Sequence, residues 1–303
     1  MLRSGRLVCF PTETVYGLGA DAFNEDAVGR IFAAKMRPLD NPLIVHVSDP
    51  AQVKCVARHI PPAARTLIEA CFPGPLSVVL PKAEAVPSIV TAGLDTVAVR
   101  MPDHDLALTF LEACNTPVAA PSANLSGRPS PTSWEAVCDD LSGRVDCLLK
   151  DGRSAKGLES TVVDCTDHSP GLLRAGAVSV ERLLDLVPAL RIDPIETVGE
   201  LRSPGIHHPH YAPRVRVEVV ERPHGTATNA ERAYIGIDAP TSSAGYRLTH
   251  VCESTDEYAY CLFDFFRRAE AAGVGEIHCQ RVMRHGLGRA LMDRLEKAAS
   301  STA

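Results

Sequence analysis

The chain has 303 residues, 45% of them hydrophobic and 22% charged, with a formal net charge of -6. That is an ordinary globular composition, long enough for two domains, and its acidity argues against a generally basic nucleic-acid coat while leaving room for a local basic groove. No stretch approaches the ~20 apolar residues of a membrane-spanning helix and the N-terminus has no signal-peptide apolar region, so a cytoplasmic protein without membrane contact is expected. The ten cysteines are scattered with no CxxC pair, which fits a reduced chain and argues against a zinc ribbon or a disulfide scaffold.

Taken in chain order, residues 6–10 (RLVCF), 43–47 (LIVHV), 76–80 (LSVVL), 97–100 (VAVR), 147–150 (CLLK) and 160–165 (STVVDC) read as strands. Between them, 25–35 carries Val28, Ile31 and Phe32 at helical spacing, and 61–72 opens on prolines suited to a helix start. The stretch PTETVYGLGAD (11–21) reads as a loop offering Thr12, Thr14 and Tyr16, with Gly17 and Gly19 as turn residues. Many short strands alternating with helices predict a mixed α/β region built on an open twisted sheet.

At 189–213 the character changes to a stretch with four prolines and no periodicity, as in a linker. The chain therefore divides into 1–188, a linker at 189–213, and a second domain at 214–303. In the latter, 215–220, 232–237 and 276–279 read as strands. Residues 254–273 read as a helix capped by Ser254 or Thr255 with Gly273 past its end, and 286–300 as a final amphipathic helix. This tail predicts a small three-layer α/β domain.

Several residues carry chemistry. Lys35 and Arg37 stand where Pro38 forces the first helix to give way to an extended loop. They are either two cations favourably placed at a helix C-terminus or a fork and a point charge converging on a phosphate. Alternation puts Leu43, Val45 and Val47 on one face and Ile44 with His46 on the other, so His46 is either a satisfied core group or a ligand contact. Thr96, Ala98 and Arg100 share a face, with Arg100 at the strand end, where it meets a carboxylate of the protein or of a ligand. Ser122, Asn124 and Ser130 in APSANLSGRPSPTS form an ordinary turn or a cradle for phosphate or nucleobase. Ser160 and Arg174 stand at comparable strand edges, where open α/β sheets bind ligands. There is no nucleophile elbow and no Walker loop, and the glycine pattern fits a dinucleotide fingerprint poorly. The HHPH histidines of the linker have no acidic or cysteine companions at ligand spacing.

The motifs PTETVYGLGADA, AAKMRPLDNPLIVHV, FPGPLSVVL, TVAVRMPDH, APSANLSGRPSPT, LESTVVD and LLRAGAVS occur in the order seen in threonylcarbamoyl-AMP synthases of the YrdC-like fold. The likeness covers roughly residues 5 to 185. SPGIHHPHYAP resembles the linker of that family's two-domain branch, and the tail resembles its smaller Rossmann-like α/β C-terminal domain. The resemblance implies a YrdC-like twisted open mixed sheet with helices. It also implies synthesis of threonylcarbamoyl-AMP from L-threonine, bicarbonate or carbon dioxide, and ATP, with release of pyrophosphate. Other enzymes then carry the threonylcarbamoyl group to tRNA.

Position by position, the resemblance implies that Thr14, His46, Arg100, Ser160 and the backbone near Ala120 bind threonine. Arg37, Asn41, Thr96, Ser122, Asn124, Ser130 and Arg174 would contact ATP, and Tyr211 would reach over it as a lid. Lys35 and Arg37 would act as the catalytic cations that neutralise the triphosphate together with Mg²⁺ held mainly by the phosphates. No protein nucleophile is implied. The chain departs from the family in having Met36 between the two cations, a less basic linker, and a start only a few residues before the first strand. An RNA-binding module on the same fold is the alternative reading, and weak RNA binding the corresponding expectation. A related carbamoyltransferase would need cysteine pairs that this sequence lacks.

Overall fold

The structure is a computed structural model that describes residues 1–192, 211–223, 231–240 and 245–301. Most of the linker, including the HHPH histidines, lies outside the described residues. The first domain is built on nine strands: β1 (Val8–Phe10), β2 (Gly17–Asp21), β3 (Ile44–His46), β4 (Leu76–Pro81), β5 (Thr96–Arg100), β6 (Val118–Ala120), β7 (Cys147–Leu148), β8 (Thr161–Asp164) and β9 (Gly171–Arg174). They pair in the order β7-β1-β2-β6-β3-β5-β4-β8-β9, with parallel and antiparallel neighbours mixed. The helices α1 (Glu25–Lys35), α2 (Val53–Val56), α3 (Pro62–Cys71), α4 (Asp105–Cys114), α5 (Trp134–Leu141) and α6 (Val180–Leu186) connect them.

The main core gathers one face of the central strands, with Leu43, Val45, Val47, Val78, Val97 and Val99 packed against Val28, Ile31 and Phe32 of α1. The alternation read from the sequence is thus realised, and it turns Ile44, His46, Ala98 and Arg100 toward the opposite face. Helix α1 starts where the Asn24 side chain accepts from the amide of Ala27 and stops where Met36 adopts φ 53°. A left-handed residue at that cap is ordinarily glycine.

Residues 17–21 are not the loop the sequence suggested. They form β2, antiparallel to β1, with Gly17 opposite Phe10 and Gly19 opposite Val8. A Cβ on Gly17 would lie 3.1 Å from the Phe10 ring, and one on Gly19 would lie 2.8 Å from a Val118 methyl carbon. These glycines make room for a fully buried Phe10 rather than turning the chain.

The second domain holds β10 (Arg216–Val220), β11 (Arg232–Gly236), β12 (Leu248–Val251) and β13 (Glu276–Gln280), all parallel, in the order β10-β13-β11-β12. Its helices are α7 (Thr255–Ala271), capped by Ser254, and α8 (Leu287–Ser301). Val217, Ala233, Ile235, Ile277 and Cys279 form one face of this sheet and pack with the apolar stripes of both helices. The other face carries Glu218, Tyr234, His278 and Gln280. Among the described residues this is a two-layer arrangement, not the expected three-layer one, because both helices cover the same side.

Candidate active site

Strands β1, β3, β5, β6 and β8 end around one cleft. Of the residues singled out from sequence, Thr14, Arg37, His46, Arg100, Ala120, Ser122, Ser160, Arg174 and Tyr211 line it. Two ends can be distinguished.

At one end Arg100 reaches from β5 with its guanidinium buried. Its Nη1 donates to Thr14 Oγ1 at 2.8 Å, its Nε to the Gly74 carbonyl at 3.2 Å, and its Nη2 lies 2.6 Å from a carboxylate oxygen of Glu13. Thr12 donates to the Val15 carbonyl, so the Thr14 hydroxyl donates to Thr12 while receiving from Arg100. This relay fixes the Thr14 oxygen with one lone pair already used. His46 stands beside Arg100 in the adjacent strand. Burial, and then the Arg100 charge, push its pKa down to about 3, so it is a neutral imidazole. Its Nδ1 finds no hydrogen-bond partner among the described residues.

At the other end lie Arg37 and Arg174. Arg37 donates to the Asn41 and Pro42 carbonyls at 3.0 and 2.8 Å and to the Asn41 side-chain oxygen at 2.5 Å. Arg174 donates twice to the Ser160 carbonyl and once to its hydroxyl, which also meets the Ser77 hydroxyl at 2.8 Å. Burial foremost lowers the pKa of both arginines, and each feels the positive charge of a neighbouring guanidinium. Buried cations facing one another across a cleft are the electrostatic complement of a multiply charged anion. Tyr211, at φ 67°, closes this side with its ring stacked on Phe263 at 5.6 Å.

Four of the singled-out residues stand behind the cleft wall. Lys35 is buried beneath it, with its ammonium donating to the carbonyls of Ser122 and Asn124. Here it shapes the loop that presents Ser122 and does not line the cleft. Burial, then the Arg37 charge, hold its pKa well below the lysine range. Asn124 is likewise spent internally, donating to the Leu125 and Arg128 carbonyls. Asn41 orients Arg37, and Ser130 donates to Glu159 at 2.5 Å. Thr96 is remote. It shares the face of Arg100 but begins the strand that Arg100 ends, about 13 Å away along the backbone, beside a surface groove with Arg58 and Asp167.

Sequence reasoning missed three charged groups. Glu13 pairs with Arg100, Glu159 lines the cleft, and Arg294 of α8 binds Glu159 at 2.8 Å with no exposed surface of its own. Only Arg294 left a local signal, since it falls on the apolar stripe of Ala290, Leu291, Leu295 and Ala298, where a charge needs a partner. Among the described residues Glu159, which lines the cleft, and Glu13, which holds Arg100, are thus each already paired with an arginine. That donor set suits a divalent cation carried in on a ligand's phosphates better than a resident one.

Comparison with known proteins identifies the family. Residues 1–176 match the Sua5/YciO/YrdC family model, described as telomere recombination, and residues 178–300 match the model for the threonylcarbamoyl-AMP synthase C-terminal domain. The threonylcarbamoyl-AMP synthase of Pyrococcus abyssi is 42% identical over 98% of this chain and 92% of its own length. That of Bacillus subtilis is 40% identical over 99% and 91%. The crystal structure of P. abyssi Sua5 complexed with L-threonine superposes with a TM-score of 0.92 at 41% identity, covering 99% of this chain and 92% of that one. With both domains matched in order, and at this identity over nearly the whole length, the chain belongs to the threonylcarbamoyl-AMP synthase family.

Proposed function

We infer that this protein is an L-threonylcarbamoyladenylate synthase. The observation that carries the reading is one cleft with buried arginines at both of its ends. Arg100, Thr14 and neutral His46 form an end fit for an amino-acid carboxylate and its hydroxyl. Arg37 and Arg174 form an end fit for a polyphosphate. Arg100 would fork onto the threonine carboxylate, while His46 Nδ1 and Ser160 receive the polar groups of the side chain and the amine. ATP lies toward Arg37, Ser122 and Arg174 under Tyr211, and Mg²⁺ enters with it as part of the nucleotide. Threonine's amine takes up carbon dioxide, supplied as bicarbonate, to give a carbamate. A carbamate oxygen then attacks the α-phosphorus, and pyrophosphate leaves with the bonding pair.

No side chain has to form a covalent bond. Rate enhancement would come from holding the carbamate in line and from cations facing the developing charge. Carbamates and mixed anhydrides react with water, so a Tyr211 lid that excludes it has a chemical purpose. Lys35, Asn41, Asn124 and Ser130 would contribute by fixing the groups that touch substrate. The product is an activated acyl donor, which a tRNA-modifying transferase would consume. Among the described residues no helix is long and apolar enough to cross a membrane, in keeping with a cytoplasmic site of action.

The test is pyrophosphate release from ATP with Mg²⁺ and bicarbonate, comparing threonine, serine and no amino acid. Threonine-dependent release is the expected result. A folded protein that releases none and retains RNA in a salt-dependent way would return the cleft's cations to the RNA-binding alternative.

A further inference from the structure

The second domain contributes a residue to the nucleotide end. Arg294 belongs to α8, yet among the described residues every group it hydrogen-bonds, apart from its neighbour Asp293, is in the first domain. Its Nε donates to Glu159 at 2.8 Å and its Nη2 to the Ala175 carbonyl at 3.0 Å, and its guanidinium lies 4.9 Å from the centre of the Tyr211 ring. The other oxygen of Glu159 takes the Ser130 hydroxyl. Glu159 faces the cleft and lies close enough to Arg174 for their charges to influence each other.

The segments that carry these groups are braced by the same domain. Gly157 (φ +74°) lets the 152–160 loop touch the backbone of α7, where a Cβ would lie 2.5 Å from the Tyr260 Cα. Arg153 donates to the Tyr260 carbonyl and lies over its ring. On the Ser130 side, Arg267 of α7 binds Asp140 and the Pro129 carbonyl, and Arg128 binds Glu270 at 2.6 Å.

We propose that the C-terminal domain is a working wall of the nucleotide end, and that Arg294 is a positioning residue. By holding Glu159 it keeps that carboxylate from capturing Arg174, so that Arg174 stays available to an anionic substrate. This deepens the synthase reading and rests on it. Burial alone would raise the Glu159 pKa. Arg294 first, then Arg174 and the Ser130 hydroxyl, bring it below the usual range, so the group is an anion that needs a cation. If Arg294 is removed, the remaining cation whose charge is felt at Glu159 is Arg174, the arginine assigned to ATP.

The experiment uses the full-length chain and compares wild type with Arg294→Met, Glu159→Gln, the double variant and Arg294→Lys. Equilibrium binding of Mg·ATP, the threonine KM, pyrophosphate release and thermal unfolding are measured on each. Arg294→Met is expected to weaken ATP binding about tenfold or more, as for a lost charge-assisted contact, and to change the threonine KM less than about threefold. The double variant, with no stranded carboxylate, should recover most of the lost ATP affinity, and lysine should recover part of it. Equal losses for ATP and threonine, or a lowered melting temperature with unchanged ATP binding, would overturn the proposal. So would a folded double variant that binds ATP no better than the single one. If Arg294→Met does not fold, the double variant decides alone. A wild type that neither binds ATP nor releases pyrophosphate would bring down the synthase reading and this proposal with it. A wild type that turns over beside an equally active Arg294→Met removes only the latter.

Discussion

Two buried arginine–glutamate pairs flank the same cleft, and they are finished to different degrees. Arg294 and Glu159 share a well-formed hydrogen bond, and both carboxylate oxygens and two further guanidinium nitrogens are satisfied by protein. Arg100 and Glu13 approach to 2.6 Å, but neither carboxylate oxygen of Glu13 nor the Nη2 of Arg100 has a hydrogen bond of acceptable geometry among the described residues. Desolvating an ion pair is repaid only when the remaining donors and acceptors find partners. The complete pair is therefore architecture, and on the proposed function the incomplete pair is where a substrate carboxylate would improve on what the protein supplies.

Arg100→Ala tests the incomplete pair most directly and should have the largest effect. Losing a forked, charge-assisted contact should raise the threonine KM by about two orders of magnitude, while the ATP KM moves less than about threefold. Initial rates of pyrophosphate release against each substrate measure this, and equal losses for both would undo the division of the cleft into two ends.

The second prediction concerns the complete pair's foundations. Gly157→Ala places a methyl against the α7 backbone at a left-handed residue. The combined strain should lower stability by about 3 kcal/mol in urea unfolding. If the domains are coupled as their contacts indicate, ATP affinity falls with it; unchanged ATP affinity in a destabilised variant would separate the interface from the site.

How much of this was legible beforehand follows the range of each signal. Period-two alternation is local, and it correctly turned His46 and Arg100 onto one face and Val45 and Val99 onto the other. It says nothing about position along a strand, and so Thr96 was grouped with Arg100 although it starts the strand that Arg100 ends. Gly17 and Gly19 were read as turn residues because glycine's commonest local meaning is a turn. Their actual reason is Phe10, in the neighbouring strand, and Val118, about a hundred residues away. Spacing left Lys35 as either a helix-terminal cation or a phosphate ligand, and the structure spends its ammonium on two loop carbonyls; no spacing rule distinguishes those uses of a lysine. Glu13 with Arg100 and Glu159 with Arg294 are joined across 87 and 135 residues, so their pairing became visible only once the sheet and the second domain were assembled. The motif resemblance bridged much of that gap, because an ordered set of motifs carries long-range information that a single stretch does not.

His46 gives a third, smaller effect with a definite sign. Its folded pKa of about 3 lies below the ordinary value of 6.5, so between those values the unfolded chain binds a proton that the folded chain refuses. Stability should therefore fall as pH drops below 6.5, by about 1–2 kcal/mol from this residue at pH 5. His46→Gln should remove that part of the slope. Urea unfolding at pH 7.5 and pH 5 on both proteins measures it, and an unchanged slope would mean that His46 is not the neutral, buried group beside Arg100.

The smallest effect belongs to Met36, the residue between the two cations at the end of α1. It is 70% exposed and held at φ 53°, where a side chain collides with its own backbone and glycine does not. Because so little of its surface is buried, Met36→Gly loses little packing. The relief of left-handed strain should outweigh the added freedom of the unfolded chain, for a net gain of about 0.5 kcal/mol. Thermal and urea unfolding would register that gain. The kinetic consequence separates the two ends once more, since this cap directly precedes Arg37. A looser glycine hinge should raise the ATP KM slightly and leave the threonine KM where it was. An equal shift in both would show that the α1 cap governs the whole cleft, and that its two ends are less independent than their two ion pairs imply.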